Sequence, residues 1–141
     1  MCIFCDILAG SSLASFVYRD ERVAAFMDTQ PVTPGHTLII PARHAASLAE
    51  LDPADGARLF QLGQHVAAAL RSSGLPCEGV NFWLADGSAA GQEVSHVHLH
   101  VFPRFAGDGF GLRLPPGYWD KPPRSELDEI AGRVRGVMND E

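Results

Sequence analysis

The sequence predicts an α+β fold, a mainly antiparallel five-stranded sheet with one major helix and short terminal helices. Three observations predict it. Short stretches rich in β-branched and aromatic residues recur along the chain, bounded by Gly, Pro and Asp. Most connections between them are too short for the crossover that parallel strands need, so neighbouring strands run antiparallel. A single long segment carries apolar residues at three- and four-residue steps, which is the period of a helix lying on a core.

The elements follow in order. Ile3, Phe4, Ile7 and Leu8 fit a short amphipathic helix. "FVYRD" and "RVAAFMD" read as two strands joined by the charged turn Asp20-Glu21-Arg22. "PVTPGH" is a turn punctuated by Pro34-Gly35, and "HTLIIP" is a strand stopped by Pro41. The major helix starts at Asp52, an N-cap with Pro53 behind it, and Gly74 is its stop. Leu59, Leu62, Val66 and Leu70 form its apolar stripe. "VNFWLA" and "VSHVHLHVF" are two more strands around the Gly-rich "DGSAAGQE", with Pro103 ending the second because it cannot donate to a ladder. Gly107 to Pro123 reads as a loop. A last helix starts around Ser125 with Asp128 in a capping-box arrangement, and Leu127, Ile130, Val134 and Val137 form its apolar face.

The 141 residues suit one domain with one core. A net charge of −6 argues against salt-driven nucleic-acid binding, which needs a basic face. No apolar run approaches the roughly 18 residues of a bilayer span, and "MCIFCDILAG" lacks the basic segment of a signal peptide. A cytoplasmic protein without nucleic-acid or membrane partners is the expectation. Three cysteines make a poor disulfide framework there, and Cys77 reads as a small loop residue.

In a strand, His96, His98 and His100 stand on one face, roughly 7 Å apart, with Val97, Leu99 and Val101 turned to the other. Such a row serves either of two chemistries. Alternate histidines can reach one metal ion. Three clustered imidazoles also repel one another when protonated, and the mixed protonation that results can set a neutral nucleophile beside a charged donor. The spacing does not choose between them.

The flanking residues add to this. "GQEVSHVHLHVFPR" resembles the active-site motif of the histidine triad (HIT) family of nucleotide hydrolases and transferases, His-φ-His-φ-His-φ-φ with φ apolar, at all seven positions from His96 to Phe102. The resemblance extends through Gly91-Gln92, "FMDTQPVTPGHTLIIPARH" and "CIFCDILAG", covering Met1 to Gly111 and leaving residues 112–141 as a variable C-terminal extension of the HIT domain. It implies a HIT-like fold and a homodimer. It implies that His98 attacks an α-phosphate, that His100 contacts the phosphate oxygens, and that His36 is the fourth histidine beside the nucleophile. Asp28 would accept hydrogen bonds from the ribose hydroxyls, which suits an acceptor-only carboxylate.

The same resemblance places Phe4, Ile7, Phe26 and Met27 around the base and Gln92 beside the phosphate. Glu93 stands where many relatives carry Ser or Thr; ionised it would repel phosphate, and protonated it could donate. Ala85 stands where relatives usually carry Asn or Gln, so either Asp86 or a water supplies that polar contact or the nucleotide sits differently. Cys2-x-x-Cys5 is half of a zinc ligand set, which some HIT branches complete with residues matching His44 and His96. A closed site of that kind is structural. The implied activity is hydrolysis of a purine nucleoside phosphoramidate or related nucleotidyl conjugate through a nucleotidyl-histidine intermediate. The rival readings are dinucleoside polyphosphate hydrolysis and a nucleotide-binding regulatory module with little turnover. Tyr118 and Trp119 in the extension read as packing residues.

Overall fold

A computed structural model describes residues 2–138. Among the described residues five strands and three α-helices follow in the order α1 (Ile3–Ala9), β1 (Phe16–Arg19), β2 (Val23–Met27), β3 (Thr37–Pro41), α2 (Pro53–Ser72), β4 (Gly79–Trp83), β5 (Leu99–Arg104) and α3 (Arg124–Met138). The strands form one sheet in the order β1-β2-β3-β5-β4, and every pairing is antiparallel. The predicted architecture is therefore the observed one.

Local chemistry explains the elements. Asp20 closes the β1–β2 hairpin, because its carboxylate accepts the N–H groups of Arg22 at 2.8 Å and Val23 at 2.9 Å. Those bonds hold the Asp20 carboxyl down at about 2. Asp52 caps α2 by accepting from the Ala54 N–H at 2.8 Å, with Pro53 opening the helix as expected. Gly74, one residue beyond the Ser73 cap, takes the left-handed conformation that terminates the helix.

The sheet has two apolar faces, as the two-residue period of its strands requires. On one, Val23, Ala25, Ile39, Leu99 and Val101 pack against Leu59, Leu62, Val66 and Leu70 of α2. Gly63 lets α2 come close, since a Cβ there would stand 2.8 Å from Cε2 of Phe82. On the other face, Ala24, Phe26, Leu38 and Ile40 pack against Phe4 and Ile7 of α1. The histidines gather on this second face, where the rings of His96 and His98 meet Phe4.

The boundaries of β5 and the last helix differ from expectation. The ladder of β5 begins at Leu99, not Val94, because the Val97 N–H is taken by the Ala45 carbonyl at 2.8 Å instead of by a strand. At its other end β5 continues one residue past Pro103, which sits in register with Val80 while Arg104 pairs with Gly79. The last helix begins at Arg124, and the Pro123 carbonyl accepts from Glu126 and Leu127, so Ser125 lies inside the helix and does not cap it.

The chain divides into two compact units at Gly109/Phe110. The second contains α3 and the preceding loop, in which the Tyr118 and Trp119 rings meet edge to face, 5.1 Å apart. Among the described residues no helix is long and apolar enough to cross a membrane.

Candidate active site and metal centre

His96 and His98 lie ahead of the β5 ladder and His100 lies within it, yet the alternation of faces holds throughout. Val97, Leu99 and Val101 enter the α2-side core. The rings of His96 and His98 meet the edge of Phe4 at 5.7 and 5.2 Å, and His98 and His100 meet each other at 4.9 Å.

The hydrogen bonds assign a tautomer to His36, His96, His98 and His100, because a carbonyl can only accept and an amide N–H can only donate. His98 Nδ1 lies 2.8 Å from the His96 carbonyl, so Nδ1 carries the proton and a neutral ring keeps its lone pair on Nε2. The Val32 N–H donates to His36 Nδ1 at 3.0 Å, so the proton of His36 sits on Nε2. That nitrogen is 2.9 Å from His100 Nδ1 and donates to it, which leaves His100 with an N–H at Nε2. Asp28 Oδ2 lies 3.4 Å from His36 Nε2, while Oδ1 accepts from the Gln30 N–H at 2.8 Å. Burial first, then the nearby His98 and His36, push His100 down to about 4. Burial also lowers His36, against the opposing pull of Asp28. The Nδ1–H bond of His98 leaves its Nε2 lone pair available, and the adjacent His100 ring, 4.9 Å away, carries its N–H on Nε2.

Two clusters bring their possible ligand atoms within 4.8 Å of one another: Cys2, Cys5, His44 and His96, and Asp28, His36 and His100. The tautomers distinguish them. In the second cluster the Val32 N–H occupies the Nδ1 lone pair of His36, so Nε2 must keep its proton and has nothing to offer a cation. In the first, His96 Nε2 donates to the Pro41 carbonyl at 2.9 Å and frees Nδ1 as a ligand.

His96 Nδ1 lies 3.4 Å from Cys2 Sγ, 3.6 Å from Cys5 Sγ and 3.2 Å from His44 Nδ1, and Cys5 Sγ lies 3.4 Å from His44 Nδ1. A tetrahedral zinc ion with bonds of about 2.0–2.3 Å places its nitrogen and sulfur ligands roughly 3.3–3.7 Å apart. These four separations fall within or just below that spacing, and with the Cys₂His₂ donor set the cluster is compatible with zinc. Burial lowers His96, which favours the neutral ligand form. Burial, and then the Cys2 sulfur, hold the Cys5 thiol above its usual range, a cost that a cation displacing the thiol protons would relieve.

The remaining predicted residues are placed as follows. Phe4, Ile7 and Phe26 are buried in the core cluster behind the histidines, Phe4 and Phe26 meeting edge to face at 5.6 Å, and Met27 at the end of β2 is half-buried. Gln92 is engaged with backbone: its amide donates to the Ala46 and Val94 carbonyls at 2.8 and 2.9 Å, and its oxygen accepts from the Gly87 N–H at 2.8 Å. Glu93 is exposed. Ala85 is buried, and the neighbouring Asp86 accepts from the Leu48 N–H at 2.9 Å, bracing the loop after β3.

Two features of the site were not singled out in the sequence. The Val32 amide decides the tautomers of His36 and His100, and it carries no side-chain signal. Trp83 pairs in register with His100 across β4 and β5 and is half exposed; strand alternation would have found it once the register was known.

The HIT domain family model matches residues 10–107. The chain belongs to the HIT family. An uncharacterized HIT-like protein of Methanocaldococcus jannaschii is 35% identical over 136 residues, covering 96% of this chain and 100% of that one. A crystal structure of a HIT family protein from Bacillus anthracis superposes with a TM-score of 0.87 at 36% identity, covering 96% of each chain. A crystal structure of a Zn-bound histidine triad family protein from Mycobacterium smegmatis gives a TM-score of 0.75 at 38% identity, covering 94% of this chain and 96% of that one. Membership of the HIT family supports a nucleotide-binding or hydrolase role for this domain.

Proposed function

We propose that this HIT domain hydrolyses nucleotide conjugates at the α-phosphate, with purine nucleoside phosphoramidates or related nucleotidyl conjugates as substrates. The observation that carries the reading is the hydrogen bond from His98 Nδ1 to the His96 carbonyl, which leaves Nε2 as a bare nucleophile. In the first step Nε2 attacks phosphorus, a P–N bond forms, and the bond to the leaving group breaks as that group departs with a proton. In the second, water cleaves the P–N bond, releases the mononucleotide and restores the imidazole.

His100 is the oxyanion donor in this reading. Its Nε2–H hydrogen-bonds a non-bridging phosphate oxygen, where charge stabilisation contributes most to phosphoryl transfer. His36 keeps His100 in the donating tautomer. Asp28 takes the ribose hydroxyls through oxygen lone pairs that its bond to Gln30 leaves free. Phe4, Ile7, Phe26 and Met27 form the base side of the pocket, and Gln92 acts by holding the Gly87–Val94 loop in place. Cys2, Cys5, His44 and His96 hold a structural zinc ion, which when bound ties α1 to the segments after β3 and before β5. The active form is a homodimer.

The test is mononucleotide release from adenosine and guanosine phosphoramidates and diadenosine polyphosphates, comparing the native protein with His98→Asn. Release that disappears in the variant is the expected result. Full activity in His98→Asn refutes the mechanism, and nucleotide binding without release from any substrate supports a binding module instead.

A further inference from the structure

We propose that the Cys2–Cys5–His44–His96 centre is a positioning device for His98, so that filling the metal site fixes which nitrogen of His98 is free. The inference rests on the reading of His98 as the nucleophile.

Three separate threads lead to His98, and each starts at or beside a metal ligand. The first is His96 itself, whose Nδ1 lies among the other three ligand atoms while its carbonyl accepts the His98 Nδ1–H at 2.8 Å. Ring and carbonyl belong to one residue, so a backbone shift at His96 that carries the ring out of the ligand set also moves the carbonyl. The second is Phe4, which lies between Cys2 and Cys5 in the first turn of α1 and presents its ring to both His96 and His98. The third runs through Ala45, next to His44, whose carbonyl takes the Val97 N–H at 2.8 Å. Val97 is the residue between His96 and His98.

The sheet does not supply these constraints, because the β3–β5 ladder begins at Leu99. With a metal bound, His96 is held at Nδ1 by the ion and at Nε2 by the Pro41 carbonyl at 2.9 Å. With the ion absent, Cys2, Cys5 and His44 are free to move apart, and all three threads slacken together. The carbonyl that selects the Nδ1–H tautomer of His98 is then no longer fixed, and the nucleophilic lone pair is divided between the two nitrogens. His96 is thus a positioning residue for His98 and not a catalytic one.

The experiment is long-range ¹H–¹⁵N NMR of the His98 side chain in the full chain, with zinc added and after chelation, beside amide spectra that report the fold. His44→Ala is the companion variant, since it removes an exposed ligand and opens no core cavity. Zinc-loaded protein is expected to show one His98 tautomer, Nδ1–H with bare Nε2. Metal-free protein is expected to show a mixture while the amide signals of α2 and the sheet stay in place. If chelation unfolds the protein, His44→Ala decides: it should show the mixture at zinc concentrations that saturate the native protein and the single tautomer only at higher zinc.

A single Nδ1–H tautomer that persists in metal-free protein and in His44→Ala overturns the inference, and so does failure of the native protein to bind zinc. The two readings fail differently. His98→Asn without turnover, together with a zinc-independent tautomer, leaves the nucleophile in place and removes its control by metal. A zinc-dependent tautomer with turnover intact in His98→Asn removes the nucleophile instead.

Discussion

Replacing His36 with leucine tests the hydrogen-bond chain on which the donor role of His100 depends. His36 is 4% exposed, and its ring makes two hydrogen bonds of opposite sense, accepting from Val32 at 3.0 Å and donating to His100 at 2.9 Å. Leucine fills similar space and makes neither. At about 1 kcal/mol net for each neutral bond the variant should lose roughly 2 kcal/mol of stability. For a domain of this size that lowers Tm by roughly 6 °C.

The larger consequence is kinetic. Without His36 nothing donates to His100 Nδ1, and the proton of His100 is free to sit on the wrong nitrogen. Removing an oxyanion donor outright costs about 10²–10³ in kcat, and a donor present but misprotonated part of the time costs less, about tenfold to a hundredfold. KM for the nucleotide conjugate should change by less than about threefold, because the lost interaction belongs to the transition state. His36→Gln, with an amide N–H to offer His100, should recover part of kcat. The assay is steady-state mononucleotide release alongside thermal unfolding. A His36→Leu protein whose kcat stays within about twofold of native would refute the tautomer argument.

Other consequences follow from the same geometry. A Cβ at Gly63 meets Phe82 at 2.8 and 3.1 Å and Leu99 at 3.4 Å, so Gly63→Ala should lose stability, about 1 kcal/mol after its helix-propensity gain, measured by urea midpoint; a stabilised variant would contradict the packing. His100 titrates at about 4 in the folded protein against 6.5 when exposed, so its contribution is complete above pH 6.5 and disappears as pH falls towards 4. Urea midpoints between pH 7.5 and 4.5 should therefore fall less steeply for His100→Asn than for the native protein, and parallel curves would exclude His100 as a source. Gln92→Ala removes two bonds to the backbone of the Gly87–Val94 loop and a third that ties the loop to the Ala46 carbonyl. It should speed amide exchange there before it affects Tm, and unchanged exchange at Gly87 would count against its bracing role. Zinc should bind the native protein at one ion per chain and be lost from Cys5→Ser, as read by elemental analysis.

The elements were legible because each is written in local chemistry. Asp20, the Asp52-Pro53 cap and the stripe from Leu59 to Leu70 act on neighbours a few residues away, and the two-residue alternation around His98 holds even where the ladder does not. The Cys-x-x-Cys pair and the alternate histidines announced metal and nucleophile chemistry by residue type. Other features depended on contacts that no window of sequence contains. Cys2 meets His96 across 94 positions. The start of β5 was set by Ala45, which takes the Val97 N–H, and Gln92 and Asp86 proved to be loop braces because backbone groups far along the chain came within their reach.

The sequence by itself determined the α+β architecture, the family and which side chains could do chemistry. The tertiary structure decided which nitrogen of His36, His96, His98 and His100 carries the proton, and with it which of two clusters suits a metal. A histidine's proton follows whatever stands opposite its ring, and here those partners are the backbone of Val32, Pro41 and His96 and the ring of His36. Outside proline a backbone N–H or carbonyl is the same at every position in a sequence, so only folding gives it an address.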